Sequence, residues 1–243
     1  MTANITTLRC NTTQMKTKTR RILLSISAVL AGLLAAWLVT VFHDLPDLAA
    51  LDENLNQPSV RITDRDGRIL YEIIPPEGGR HASLAFDTIP GCIKEATIAV
   101  EDQNFYTNPG VDFIGVLRAL WIDIRGGEAV AGGSTITQQV VRNLLLEDER
   151  FERTLRRKLR EAWLAWRLTQ RYSKDEILGF YLNQVYYGGM AYGVEAAAQT
   201  YFGKPAAELL LPECALLAGL PQAPAIYNPY TNPDLARERQ LVV

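Results

Sequence analysis

The run RFERTLRRKLREAWLAWRLTQRYSKDEILGFYLN, residues 150–183, holds two helix signals back to back. Leu155, Leu159, Trp163 and Trp166 recur at helical spacing with charged residues opposite, which predicts a long helix from about Arg150 to Arg171 with that stripe turned inward. Ser173 with Glu176 three residues later is a capping box, so a second helix opens there and includes Ile177, Leu178 and Leu182. Upstream, Gly132-Gly133-Ser134-Thr135 offers a turn and a hydroxyl cap to a helix running through Gln138, Gln139 and Arg142. Pro90 sits at a first helical position of a short helix ending in Glu101-Asp102, with Ile93, Ala96, Thr97 and Val100 on one face. Residues 111–124 form another, unusually apolar helical stretch. Downstream, Tyr186 to Gly193 reads as a Gly- and Tyr-rich loop, and stretches 194–202 and 211–220 as helices closed by Gly203 and Pro221. Only VRITDRDGRILYEI, alternating around Asp66-Gly67, predicts a β-hairpin. The fold class is mainly α.

A chain of 243 residues has room for one substantial domain and an anchor. Its net charge of −2 lacks the basic excess of a nucleic-acid binder. Cys10, Cys92 and Cys214 have no metal-ligand spacing and form no disulfide framework; Cys92 with Cys214 is an open but disfavoured pair. Ile22 to Phe42 is an uncharged apolar stretch long enough to cross a bilayer, which takes roughly 20 residues. Arg9, Lys16, Lys18, Arg20 and Arg21 precede it and Asp44, Asp47, Asp52 and Glu53 follow, so the positive-inside tendency puts the N-terminus in the cytoplasm and the rest outside. A cleaved signal peptide competes, but its apolar region usually spans about 7–15 residues, and Trp37 and Phe42 suit an interface anchor. The expected organisation is a cytoplasmic tail over 1–21, an anchor over 22–42, a linker and hairpin over 43–80, and a main domain over 81–243.

Four clusters carry chemistry: Glu101-Asp102 with Phe105, GGSTITQQ at 132–139, RKLRE at 157–161, and KDEILGFYLN at 174–183. Arg157, Lys158 and Glu161 can share one helix face, being three and four residues apart. Singly, each has a plainer explanation: a surface carboxylate pair, a solvated ion pair or a helix cap.

Their order and spacing change the reading. EDQNFYTNPGVD, GGSTITQQVVRN, RKLRE and KDEILGFYLNQVYYG resemble successive motifs of the family 51 peptidoglycan glycosyltransferases, the domain shared by class A penicillin-binding proteins and monofunctional transglycosylases. The likeness runs from about Val60 to the C-terminus, where RERQLVV resembles the start of a fifth motif with Arg239 as its arginine.

The resemblance implies a lysozyme-like helical lobe with a smaller membrane-contacting lobe, to which the greasy 111–124 stretch would belong; a buried core helix is the other reading of that stretch. It implies polymerisation of lipid II into β-1,4-linked strands, with inversion and release of polyprenyl diphosphate. By the same likeness Glu101 is the general base, and Asp102 tunes it. Arg157, Lys158 and Arg142 are cations for the diphosphate. Glu161 orients those cations or holds Mg²⁺ or Mn²⁺. Ser134, Thr135, Gln138 and Gln139 form a polar wall, with Phe105 among the substrate contacts, and Asn183 either touches ligand or stabilises a turn. The partners it implies are lipid II, the growing strand, the cytoplasmic membrane and other cell-wall synthesis proteins. Asn108 departs from the family's usual His. No Ser-x-x-Lys box of a transpeptidase is present. A lytic glycan-cleaving enzyme and an inactive lipid-binding fragment are the alternatives.

Overall fold

The computed structural model describes residues 4–49, 51, 60–65, 69–73, 79–112, 133–152 and 154–243. They fall into two units, Met1–Leu45 and Pro46–Val243. The first is a single helix, α1 (Asn4–Phe42), so helical backbone also covers most of the expected cytoplasmic tail. Within it Leu23–Phe42 is 20 residues long and apolar enough to span a membrane, a rise of about 30 Å. Leu23, Leu24, Val29, Leu30, Leu33 and Leu34 are all exposed, leaving the segment apolar around its circumference as a lipid-facing helix is.

In the second unit, β1 (Val60–Thr63) and β2 (Ile69–Ile73) pair antiparallel from Val60–Ile73 inward, as the alternation predicts. The Asp66-Gly67 turn lies outside the described residues. The rest is mainly helical: α2 (Gly91–Glu101), α3 (Ile136–Leu144), α4 (Leu155–Arg171), α5 (Lys174–Gln184), α6 (Val194–Phe202), α7 (Leu211–Gly219) and α8 (Pro233–Val242). Two packing centres form the core, α2 against α7 and α3 against α4 and α5. Ile93, Ile136, Leu164, Leu168, Ile177, Leu178, Leu182 and Leu217 fill them.

Three expectations are corrected. In α4 the stripe chosen from spacing faces outward: Leu155, Trp163 and Trp166 are 67%, 45% and 43% exposed. The buried face is Arg160, Glu161, Leu164, Ala165 and Leu168. The helix has two apolar arcs, and the inward one is interrupted by the charged residues of the site, so a hydrophobicity pattern selects the wrong arc. The Tyr186–Gly193 loop is instead a small sheet, in which β5 (Ala191–Tyr192) pairs parallel with β3 (Arg80–His81) and antiparallel with β4 (Tyr186–Gly188). Its tight reversal runs through Gly188, Gly189 and Met190, all at positive φ. Pro90 is the N-cap of α2 rather than its first turn. The apolar stretch from residue 113 onward, and with it the membrane-contacting lobe, lies outside the described residues.

The disfavoured cysteine pair does form: Cys92 and Cys214 are disulfide-bonded, tying the start of α2 to α7 across 122 residues of sequence. Closing so long a loop restricts the unfolded chain, and reduction is expected to cost about 2–4 kcal/mol. Thermal unfolding with and without reductant checks this, with the Cys92→Ala/Cys214→Ala variant as the reduced reference. An unchanged Tm would refute it.

Candidate functional site

Glu101 is the last residue of α2, and Asp102 leaves the helix with φ −159° and ψ 78°, so the two neighbouring carboxylates diverge. Asp102 turns inward. Its Oδ2 accepts from the Ile136 amide at 3.2 Å, at the N-terminus of α3, where a negative charge is favoured. Both of its oxygens accept from the Asn108 side-chain amide at 2.9 and 3.0 Å. Asn108 Oδ1 in turn accepts from the Gly110 amide at 2.9 Å and Lys174 Nζ at 3.1 Å. The Asn108 side chain thus accepts twice through Oδ1 and shares its amide nitrogen between both Asp102 oxygens. Asn108→Ala would strip a buried carboxylate of its side-chain amide donor, and a loss of about 1–3 kcal/mol is expected. Urea denaturation measures it; a midpoint equal to wild type would contradict the hub.

Thr135 caps α3 in a full capping box with Gln138 and also donates to the Gly110 carbonyl at 2.7 Å. One turn on, Gln139 Nε2 donates to Glu101 Oε2 at 2.6 Å. Glu101 thus has one oxygen fixed by α3. Burial raises its pKa above the ordinary carboxylate range, opposed by the Gln139 bond and the Arg239 and Arg142 charges. Burial likewise raises that of Asp102.

The cations come from α4, whose first turn is set by Thr154 accepting from the Arg157 amide. Arg157 pairs with Glu161. Lys158 Nζ lies 3.4 Å from the other Glu161 oxygen and donates to Ser134 Oγ at 2.7 Å. Burial holds the Lys158 pKa below the usual lysine range, and Glu161 opposes it. Arg142, in the last turn of α3, acts electrostatically on both Glu101 and Lys158. A cleft of about 250 Å³, lined by Glu101, Asp102, Asn104, Asp112, Ser134 and Thr135 among others, runs from the carboxylate to the Lys158-bound serine.

Glu101, Asp102, Ser134, Thr135, Gln139, Arg142, Arg157, Lys158 and Glu161 are therefore gathered in one region. Phe105 is not on the cleft wall: it is fully buried beneath Lys174, whose Nζ sits 4.6 Å from the ring centre. Gln138 is buried, and its Oε1 accepts from the Thr135 amide in the cap. Asn183 grips the Leu84 backbone through both side-chain atoms, at 2.9 and 3.0 Å, which gives it the turn-stabilising role of the two expected. Gly193 passes so close that a side chain there would meet the Asn183 carbonyl at 2.5 Å. Glu161 has no exposed surface, and its oxygens face Arg157 and Lys158. Among the described residues no group of three or more His, Cys, Asp or Glu is placed to hold a metal. Both Glu161 oxygens are engaged by the two cations, an arrangement suited to orienting them. The spacing gave no sign of the buried Arg160–Glu149 pair, 3.4 Å apart, which anchors α4 to the preceding turn.

The chain is similar to several known proteins. A family model described as Transglycosylase matches residues 66–243. Penicillin-binding protein 1A of Aquifex aeolicus (strain VF5) is 43% identical over 218 residues, 90% of this chain and 29% of that protein. Penicillin-binding protein 1A of Escherichia coli (strain K12) is 44% identical over 199 residues, 82% and 23% of the two chains. The crystal structure of penicillin-binding protein 1A from Haemophilus influenzae is matched at 26% identity over 76% of this chain and 17% of that one, with a TM-score of 0.39. The chain spans about a quarter of the length of the curated relatives it matches.

Proposed function

From the premise that this chain belongs to the transglycosylase family, we propose that it is an inverting peptidoglycan glycosyltransferase, joining lipid II units into β-1,4-linked glycan. The observation that carries the reading is the cleft with an elevated-pKa carboxylate, Glu101, at one end and the Ser134–Lys158–Glu161–Arg157 chain of contacts at the other.

In that reaction the 4-hydroxyl of the incoming N-acetylglucosamine gives its proton to Glu101 as its oxygen bonds to the anomeric carbon of the growing strand. The bond from that carbon to the diphosphate breaks on the opposite face, and polyprenyl diphosphate leaves with the electron pair. A sugar hydroxyl is a weak nucleophile near neutral pH, so the base contributes about 10²–10⁴ in rate. Arg157, Lys158 and Arg142 meet the negative charge building on the leaving group. With Glu161 enclosed by Arg157 and Lys158, a divalent ion would have to arrive on the diphosphate itself. Hydrolysis of an uncharged glycosidic bond has little use for three such cations, which weighs against a lytic enzyme.

The membrane topology belongs to the same reading: basic residues before the apolar helix and acidic ones after it put the catalytic unit outside. The Cys92–Cys214 bond supports an oxidising compartment. There the unit would meet lipid II, the growing strand and other cell-wall synthesis proteins at the membrane surface.

Detergent-solubilised protein incubated with fluorescent lipid II and Mg²⁺ should give a lysozyme-sensitive ladder on a gel. Folded protein that yields no ladder would support the inactive lipid-binding fragment. Shortening of preformed strands without polymer would support the lytic enzyme.

A further inference from the structure

Lys174 takes no part in the mechanism above, yet its ammonium feeds a closed circuit of hydrogen bonds between the loop after Glu101 and the start of α3. It is the first residue of α5, placed there by the Ser173–Glu176 capping box. Its Nζ donates to Asn108 Oδ1 at 3.1 Å and sits over the buried Phe105 ring. From Asn108 two arms run to α3. The side-chain amide donates to Asp102, whose Oδ2 accepts from the Ile136 amide at 3.2 Å. Asn108 Oδ1 accepts from the Gly110 amide, and the Gly110 carbonyl accepts from the Thr135 hydroxyl at 2.7 Å. Thr135 and Ile136 are neighbours in the chain, so the circuit closes.

The same corner is pressed onto α4. Gly110 has φ +95°, and a side chain there would meet the Ala165 carbonyl at 2.5 Å. The Pro109 carbonyl accepts from the Thr169 hydroxyl at 2.9 Å. Residues 108–110 therefore touch three helices at once. One is α3, whose Gln139 holds Glu101; another is α4, whose early turns carry Arg157 and Lys158; the third is α5. A cation bonded to the oxygen of an amide polarises it and strengthens what its nitrogen donates, here to the Asp102 carboxylate.

We propose that Lys174 is a positioning residue of the transfer reaction: through Asn108 it holds Asp102 on the first turn of α3 and so keeps Gln139 aimed at Glu101. It acts through these groups and touches no substrate. The inference rests on Glu101 being the base. Asp102 is faced by Lys174 of α5, by Asp112, by the neighbouring Glu101 and by the Ile136 amide of α3. Burial raises its pKa and Lys174 opposes that rise, so removing the cation pushes it further up. A protonated Asp102 gives up acceptor capacity that Ile136 and Asn108 now use.

Lys174→Met and Lys174→Arg of the full chain test this in the lipid II assay. Methionine keeps an unbranched stem beside Phe105 and removes the charge and the donor; arginine keeps the charge. Lys174→Met should lower kcat by about tenfold with little change in KM. Its acid limb should move to higher pH, whereas Lys174→Arg should leave the limb at the wild-type position. A methionine variant with wild-type kcat, one whose acid limb stays in place, or an arginine variant shifted as far as methionine would overturn the proposal. If Lys174→Met fails to fold, a high-resolution experimental structure of the wild-type protein decides: an ammonium bonded to Asn108 supports the relay, and one turned to solvent rejects it. Glu101→Gln separates the two levels. Full activity in that variant removes the base assignment itself, whereas an inactive Glu101→Gln with an unmoved Lys174→Met limb removes only the relay.

Discussion

Glu101→Gln is expected to lower polymer formation by about 10²–10⁴-fold while lipid II binding persists. The substitution keeps the shape of the side chain, and the amide oxygen can still accept from Gln139, whose present bond is 2.6 Å. What it removes is the ability to take a proton. Burial raises the pKa of the carboxyl, so in the wild type the active, ionised form accumulates only as pH rises through a value above that of an ordinary glutamate. The acid limb of kcat/KM should therefore lie above pH 4.5, the unperturbed value, with activity falling as pH drops through it. Stability carries the opposite sign. A raised folded-state pKa means the folded protein binds the proton more tightly than the unfolded chain, so the ionised carboxylate opposes folding at neutral pH. Glu101→Gln should hold or raise Tm at pH 7, and the difference should vanish below the unfolded pKa. A variant within tenfold of wild-type turnover would exclude Glu101 as the base.

The parts of this site that were legible in the sequence are those whose local chemistry is closed within a few residues. Ser173 with Glu176, and a hydroxyl of the Gly132-Gly133-Ser134-Thr135 run, cap the helices they were expected to cap, because an N-cap needs only its own first turn. Arg157, Lys158 and Glu161 meet because helical spacing alone brings them together. What the sequence left open depends on distant chain. Asn183 is claimed by Leu84, and Phe105 is covered by Lys174. The outward turn of Trp163 and Trp166 follows from which arc of α4 meets α3, a choice helical periodicity leaves open. The disulfide likewise needed the packing of α2 on α7, since two cysteines 122 residues apart carry no spacing signal.

At the leaving-group end, Lys158→Ala is expected to lower kcat by about 10²–10³-fold, the usual effect of removing a preorganised donor from a developing negative charge. Lys158 is a better probe than Glu161. Removing the fully buried Glu161 would leave Arg157 and Lys158 without their partner, and breaking a buried pair costs about 3–5 kcal/mol, so lost activity would be confounded with lost fold. Lys158 still reaches solvent, with 37% of its side chain exposed, and its loss leaves Glu161 paired with Arg157. The alkaline limb gives a second signature. Lysine stabilises the diphosphate only while charged, and burial lowers its pKa below 10.5 even with Glu161 opposing the shift. Activity should fall as pH rises through that lowered value. Lys158→Arg keeps its charge throughout this range and should move the limb to higher pH, at some loss of rate because a planar guanidinium cannot reproduce the contact of an ammonium with Ser134. If Lys158→Ala retained kcat within a few-fold, or Lys158→Arg left the alkaline limb in place, the charge at the leaving group would have to come from Arg157 and Arg142 alone.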